Sequence, residues 1–143
     1  MSGWPPARVS IEITEHAPVD DYDALLAAFA PLRKMGVRLS IDDAGVGYSS
    51  LRQIVKPTPD VIKLDMSLTR NVDKDPALRS LARALIGFGR EVGAIIIAEG
   101  IETTEEMATL QELRVYGGQG YHLGRPGRIL SDCLIKHDCR QSA

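Results

Sequence analysis

The sequence predicts an α/β fold of about five parallel βα units, an incomplete TIM-type (β/α) barrel, and three observations carry that prediction. Short strand-like runs alternate with amphipathic helical stretches from residue 9 onward, the strands carry polar and ionisable side chains on one face, and 143 residues fall well short of the ~250 of a closed eight-unit barrel. The chain reads as a single domain over 1–143, with its core motifs in 9–127 and a C-terminal helix and tail in 128–143.

In chain order, "RVSIEIT" alternates Val9, Ile11 and Ile13 against Ser10, Glu12 and Thr14, the period-2 signature of a strand. A helix follows, with Asp20 or Asp21 as its cap, Leu25, Leu26, Phe29 and Leu32 on one face, a kink at Pro31 and a stop at Gly36. "VRLSID" (37–42) is the second strand, leading into a glycine-rich loop and a short helix at Ser49 to Ile54 before Pro57 and Pro59. "DVIKLD" (60–65) is the third. Asp75 then caps a helix with Pro76 at its first position, Leu78, Leu81, Ala82, Leu85 and Ile86 forming the apolar stripe up to Gly93. "AIIIAE" (94–99) is the fourth strand, and Thr103 with Glu106 makes a capping box for a helix that turns Met107, Leu110 and Leu113 inward. Val115 to Tyr121 is a weaker fifth strand, with a possible helix over Arg128 to His137.

Two parallel architectures suit this order. A doubly wound, flavodoxin-like sheet has inner strands buried on both faces, which read as unbroken apolar runs, and only "AIIIA" does so. The other strands place Ser10 and Glu12, then Arg38, Ser40 and Asp42, then Lys63 and Asp65, on one face, which suits a barrel interior with a polar upper layer.

The net charge of −2 is spread along the chain and offers no basic stripe for a polynucleotide. The longest apolar run, Ala94 to Ala98, is far shorter than the ~20 residues of a membrane span, so the expectation is a soluble, cytoplasmic module without a membrane segment. Cys133 and Cys139 flank His137 at a spacing that fits neither a zinc ribbon nor a redox pair and read as free thiols; His16 and His122 read as surface or loop residues.

Parallel α/β folds place their chemistry at the carboxyl ends of the strands. Here five ends in succession are ionisable or amide: Glu12 and Glu15, Asp42 and Asp43, Lys63 and Asp65, Glu99 and Glu102, and Gln119. Glu12, Asp42 and Asp43 brought together raise one another's pKa values unless a hard divalent cation such as Mg²⁺ or Mn²⁺ neutralises them. The plainer alternative for Asp42 and Asp43 is an Asx-turn or N-cap pair. Lys63 reads as a buried partner for carboxylates, as a cation facing a substrate phosphate, or both. Glu99 is a candidate base or further ligand, or else a strand-end acid held by the amides of Gly100 and Ile101.

"IEITE", "DDAGVGYSSL", "PDVIKLD", "IIAEGIET" and "GGQGYHLGRP" together resemble, in order and spacing, the later motifs of the EAL domains, barrel phosphodiesterases that linearise cyclic di-GMP to pGpG with Mg²⁺ or Mn²⁺. The resemblance spans residues 9–127. It implies metal ligands at Glu12, Asp42 and Asp43, catalytic roles for Lys63 and Glu99, substrate or supporting roles for Asp65, Glu102 and Gln119, and a loop-anchoring role for Glu15. It also implies a homodimer, or a partner chain over the open barrel edge.

The departures are equally definite. The Glu-Ala-Leu signature and the asparagine ligand of the family's opening third do not occur, Ala44 stands where the family usually carries Phe, and Val46 where it carries Thr. The expected activity is therefore weak or absent in this chain alone. The alternative is a degenerate EAL module that regulates by binding cyclic di-GMP or another protein. A receiver-like phosphoacceptor sheet also uses an acidic pair, an aspartate and a lysine, but ends its first and last strands with the pair and the lysine. Here they end the second and third.

Overall fold

The computed structural model describes residues 5–14, 21–44 and 58–127. After a 3-10 turn at Pro6–Arg8, the elements are β1 (Ser10–Thr14), α1 (Tyr22–Lys34), β2 (Arg38–Ala44), β3 (Val61–Leu64), α2 (Met66–Thr69), α3 (Pro76–Val92), β4 (Ile95–Ala98), α4 (Thr104–Glu112) and β5 (Gly117–Gly118). The strands form one sheet in the order β1-β2-β3-β4-β5. All four pairings are parallel, and β1 and β5 lie at its two ends, so the barrel is not closed.

Alternation along the strands separates two faces. Ile41, Ile62, Leu64, Ile96 and Ala98 are buried beneath the helices, where they cluster with Ala82, Leu85 and Ile86 of α3 and Leu110 of α4, and a smaller, separate cluster joins Ile13, Val37 and Leu39 to Phe29 of α1. The opposite face carries Ser10, Glu12, Arg38, Ser40, Val61, Lys63, Ile95 and Ile97, which border a common hollow of about 230 Å³. Ile95 and Ile97 are only half-buried there, as expected of a barrel interior whose other wall is missing.

The caps form where the residue types require them. Asp21 accepts hydrogen bonds from the amides of Asp23 (3.0 Å) and Ala24 (2.9 Å), and Asp75 from Ala77 (2.8 Å) and Leu78 (3.3 Å) with Pro76 following it. Gly93 ends α3 at φ +78°. Thr103 and Glu106 complete the predicted capping box.

Several expectations are corrected. Leu81 is 45% exposed, because it lies about 100° round the helix from Ala82; Gly89 takes a place on the buried stripe instead, where an added Cβ would stand 2.5 Å from Ile96 Cδ1. Leu32 is also exposed, at 37%, and α1 runs from Tyr22 to Lys34 through Pro31. The fifth strand shrinks to Gly117–Gly118, although the amides of Tyr116 and Gln119 extend the ladder to Ile96 (3.1 Å) and Ala98 (2.8 Å). The helices expected at Ser49 to Ile54 and Arg128 to His137, with Glu15, His16, Val46, Cys133 and Cys139, lie outside the described residues.

Candidate functional site

The two adjacent acids of β2 pose the central geometric problem, since neighbours in a regular strand point to opposite faces. The ladder resolves it. Ile41 pairs with Ile62 and Ala44 with Leu64, so Asp42 and Asp43 together stand opposite Lys63 alone. That two-against-one count is a β-bulge, and Asp43 takes up the extra residue at φ +59°, a left-handed conformation that aspartate tolerates better than most residues. As a result, Asp42, Asp43 and Glu99 each offer a carboxylate oxygen within 4.8 Å of the others.

Lys63 rises from β3 into the middle of the acids. Its Nζ lies 3.0 Å from Glu12 Oε1, 3.3 Å from Asp42 Oδ1 and 3.2 Å from Glu99 Oε1, which joins β1, β2 and the end of β4 to one ammonium. Burial alone would lower the lysine pKa; the hydrogen bonds to Glu12 and Glu99 and the charges of Glu99 and Asp42 outweigh it and raise the pKa, so Lys63 stays protonated. Glu99 is raised above an ordinary glutamate, first by burial and then by the charges of Asp42 and Asp43, against the opposing pull of Lys63.

Glu99 is also held from outside the acid group. Gln119 Nε2 donates to Glu99 Oε1, and the fully buried Thr69 hydroxyl donates to the Glu99 carbonyl and, at 3.2 Å, to that of Met66. Asp65 follows the last residue of β3 and turns into α2, where Oδ1 accepts from the Ser67 amide at 2.8 Å; alternation had set it beside Lys63. Glu102 pairs with Arg70. Asp43, Asp65, Arg70, Glu99 and Gln119 line one cleft of about 1050 Å³ whose far wall includes Arg125, stacked 4.7 Å from the Tyr121 ring.

Of the residues singled out from the sequence, Asp42, Asp43, Glu99, Lys63 and Gln119 come together, Glu12 reaches the group through Lys63, and Asp65 and Glu102 stand on the cleft wall. The sequence reading missed Thr69, Arg70 and Arg125. Arg70 had a signal, a cation five residues beyond a strand-end acid; Thr69 had none, because its role depends on which carbonyl packs above it. Glu106 does more than the cap its sequence position implies: it is 4% exposed and accepts from three backbone amides, Asn71 (2.9 Å), Glu102 (2.9 Å) and Thr103 (3.1 Å). Burial pushes its pKa up, those hydrogen bonds pull harder the other way, and the carboxyl titrates below the ordinary glutamate range.

The donor set fits a divalent cation. It offers three converging carboxylates, and Asp42 Oδ1 is enclosed without a hydrogen bond, the Lys63 ammonium being its ion-pair partner. No helix among the described residues is long and apolar enough to cross a membrane.

The chain is similar to known proteins in sequence and in fold. The chain is 31% identical over 118 residues to the cyclic di-GMP phosphodiesterase PdeR of Escherichia coli, covering 82% of this chain and 18% of that protein. It spans 15 to 20% of the length of PdeR and seven further curated relatives. Among solved structures, the manganese/cyclic di-GMP complex of Klebsiella pneumoniae BlrP1 superposes with a TM-score of 0.78 at 32% identity, covering 86% of this chain and 31% of that one. A standalone EAL protein from Vibrio cholerae in its cyclic di-GMP-bound form gives 0.80 at 29% identity, covering 87% and 52%. The profile of the EAL domain matches residues 1–126, and the chain belongs to the EAL domain family.

Proposed function

We propose that this chain is the C-terminal portion of an EAL-type phosphodiesterase that opens cyclic di-GMP to pGpG, and that alone it turns over weakly or not at all. The observation that carries this reading is the β2 bulge, which sets Asp42 and Asp43 beside Glu99 at the cost of a left-handed aspartate. Asp42, Asp43 and Glu99 would hold a divalent cation, Mg²⁺ or Mn²⁺, with Glu12 the further acid on the far side of Lys63. When bound, the ion supplies Lewis acidity toward a phosphodiester. Lys63 contributes a fixed positive charge toward the phosphate, and Gln119 orients Glu99, which serves either as a ligand to the ion or, where the ion leaves it free, as the proton acceptor. Asp65, Glu102 and Arg70 shape the cleft in which the substrate lies, and Glu15 anchors the loop after Asp43.

The half-buried Ile95 and Ile97, with Ser40 Oγ enclosed and without a partner, support a missing barrel wall over the β1 edge. That wall comes from further chain of the parent protein or from a partner chain, a second copy included, and the assembly works in the cytoplasm. Incubating the chain with cyclic di-GMP and Mn²⁺ and following pGpG by chromatography tests the reading. Little or no turnover is expected from this chain, and turnover on fusing an EAL N-terminal segment upstream. Turnover by the chain alone at the rate of a complete EAL domain refutes its incompleteness.

One observation favours a second reading, a degenerate module that binds without hydrolysing. Lys63 already pairs with three of the acids, so Glu12, Asp42 and Glu99 each have a cationic neighbour with no ion present. Calorimetric titration with cyclic di-GMP, with and without Mn²⁺, separates the two. Binding that is independent of metal supports the degenerate module, and metal-dependent binding supports the enzyme.

A further inference from the structure

A second concave site lies between the helices, away from the acidic cluster. α3 and the C-terminal end of α4 border a groove of about 460 Å³ whose walls carry Arg79, Arg83, Arg90 and Arg114 against a single acid, Glu112. In a chain of net charge −2, four guanidinium groups around one hollow are a concentration that composition does not predict. Two of them are fixed in place: Arg79 Nη2 donates to Thr109 Oγ1 at 3.1 Å and Arg90 Nη2 to the Leu113 carbonyl at 3.3 Å. The side chains of Arg83 and Arg114 are exposed and make no ion pair or hydrogen bond with any described residue.

Two residues of the groove run against helix preference. Gly87 sits in the interior of α3, where glycine costs about 1 kcal/mol relative to alanine, yet a Cβ there would meet nothing within 4 Å. Gly89, by contrast, is required by Ile96. Arg114 follows α4 at φ +61°, the position and conformation that usually select glycine or asparagine. The chain's own packing explains neither choice. An object lying in the groove explains both, since Gly87 lets it approach the helix backbone and Arg114 places a fourth cation opposite α3.

The arrangement of charge indicates what that object is. Arg79, Arg83 and Arg90 are at i, i+4 and i+11 on a helix rising 1.5 Å per residue, a row about 16 Å long. A single phosphate is far smaller than the row and engages one or two of its members. Ile86 and Leu113 line the groove beside Gly87, which suits a peptide with apolar side chains between its charges better than a nucleic-acid backbone. We propose that the groove docks an acidic segment of a partner protein, its carboxylates spaced at helical intervals and paired with the arginine forks.

The test uses the full chain and a labelled synthetic helical peptide with glutamates at i, i+4 and i+11, together with its glutamine counterpart, followed by fluorescence anisotropy. The acidic peptide is expected to bind and the glutamine peptide to bind at least about ten-fold more weakly. Arg83→Glu and Arg114→Glu should each weaken the acidic peptide by about ten-fold, and Gly87→Leu, which fills the groove without changing charge, should weaken it too. Lys34→Glu makes the same charge change on α1 and should alter affinity by less than about two-fold. Circular dichroism verifies that each variant retains its helices. The proposal is overturned by absence of binding, by equal weakening in Lys34→Glu, by tight binding in Gly87→Leu, or by inorganic tripolyphosphate occupying the same arginines more tightly than the peptide.

Discussion

Replacing Lys63 with methionine keeps an unbranched apolar stem and removes the ammonium that Glu12, Asp42 and Glu99 share. At 3.0 to 3.3 Å, each contact has a gross attraction of about 5 kcal/mol at an effective dielectric of about 20. Solvent offsets much of it, since the Glu12 side chain is 42% exposed while those of Lys63 and Glu99 are 16% exposed. Removing one partner of a fully buried pair costs about 3–5 kcal/mol, and discounting the Glu12 contact as a screened surface pair leaves about 2–3 kcal/mol. Urea unfolding at neutral pH should show that loss. The deficit should shrink as pH falls, because carboxylates left without a cation have raised pKa values in the folded state, and proton uptake then favours the fold. Mn²⁺ should recover more stability in the variant than in the parent chain, replacing one cation with another. A deficit below about 0.5 kcal/mol, or one that stays constant as the carboxylates protonate, would refute the placement of Lys63 at the electrostatic centre.

Glu106→Gln should cost about 3 kcal/mol, since three backbone amides exchange a charged acceptor for a neutral one. In the parent chain the Glu106 pKa is lowered on folding, so its contribution is present above the ordinary glutamate range and lost as pH falls through its folded value; the gap between parent and variant in urea unfolding should close with acid. Gly120→Ala pushes a Cβ into the backbone of Ile101 and should destabilise by about 1–3 kcal/mol by thermal unfolding. Asp43→Gly relieves a left-handed non-glycine residue but adds chain entropy to the unfolded state, so it should change stability by less than about 0.5 kcal/mol while weakening Mn²⁺ binding at least ten-fold by calorimetry. An Asp43→Gly variant that binds Mn²⁺ normally would show the bulge to be incidental to the ion.

Much of this organisation is legible in the residues because it rests on local physics. Asp75 before Pro76, and Thr103 three residues before Glu106, specify helix starts through bonds closed within one turn. The alternation of Ser10, Glu12, Ser40 and Lys63 specifies a polar inner face because side-chain direction in a strand has period 2. The same rule failed at Asp43, where alternation sends the side chain outward, because a bulge depends on how β2 pairs with β3 and leaves no mark within β2 itself. It failed at Asp65 for a related reason: the strand ends one residue earlier, and the capping bond to Ser67 takes over the carboxylate. Leu81 misled because a leucine on a helix adds apolar character whichever way it faces.

The sheet order decides which of the groups converge within the described residues. The acids and lysine come from β1, β2, β3 and the turn after β4, four neighbouring elements whose register is fixed by ladders within this chain. Asp42, Asp43 and Glu99 therefore converge without help from any further strand, so the ion binding proposed for them is separable from closure of the barrel. Glu12 differs from them, since β1 is the edge strand and its other flank has no partner among the described residues. A strand added there would bury Glu12, strengthen its attraction to Lys63 by lowering the local dielectric, and cover Ile95 and Ile97 across the hollow. Completion of the barrel should consequently change the affinity for metal less than it changes stability and turnover, because Asp42, Asp43 and Glu99 already converge while β1 still has an open flank among the described residues.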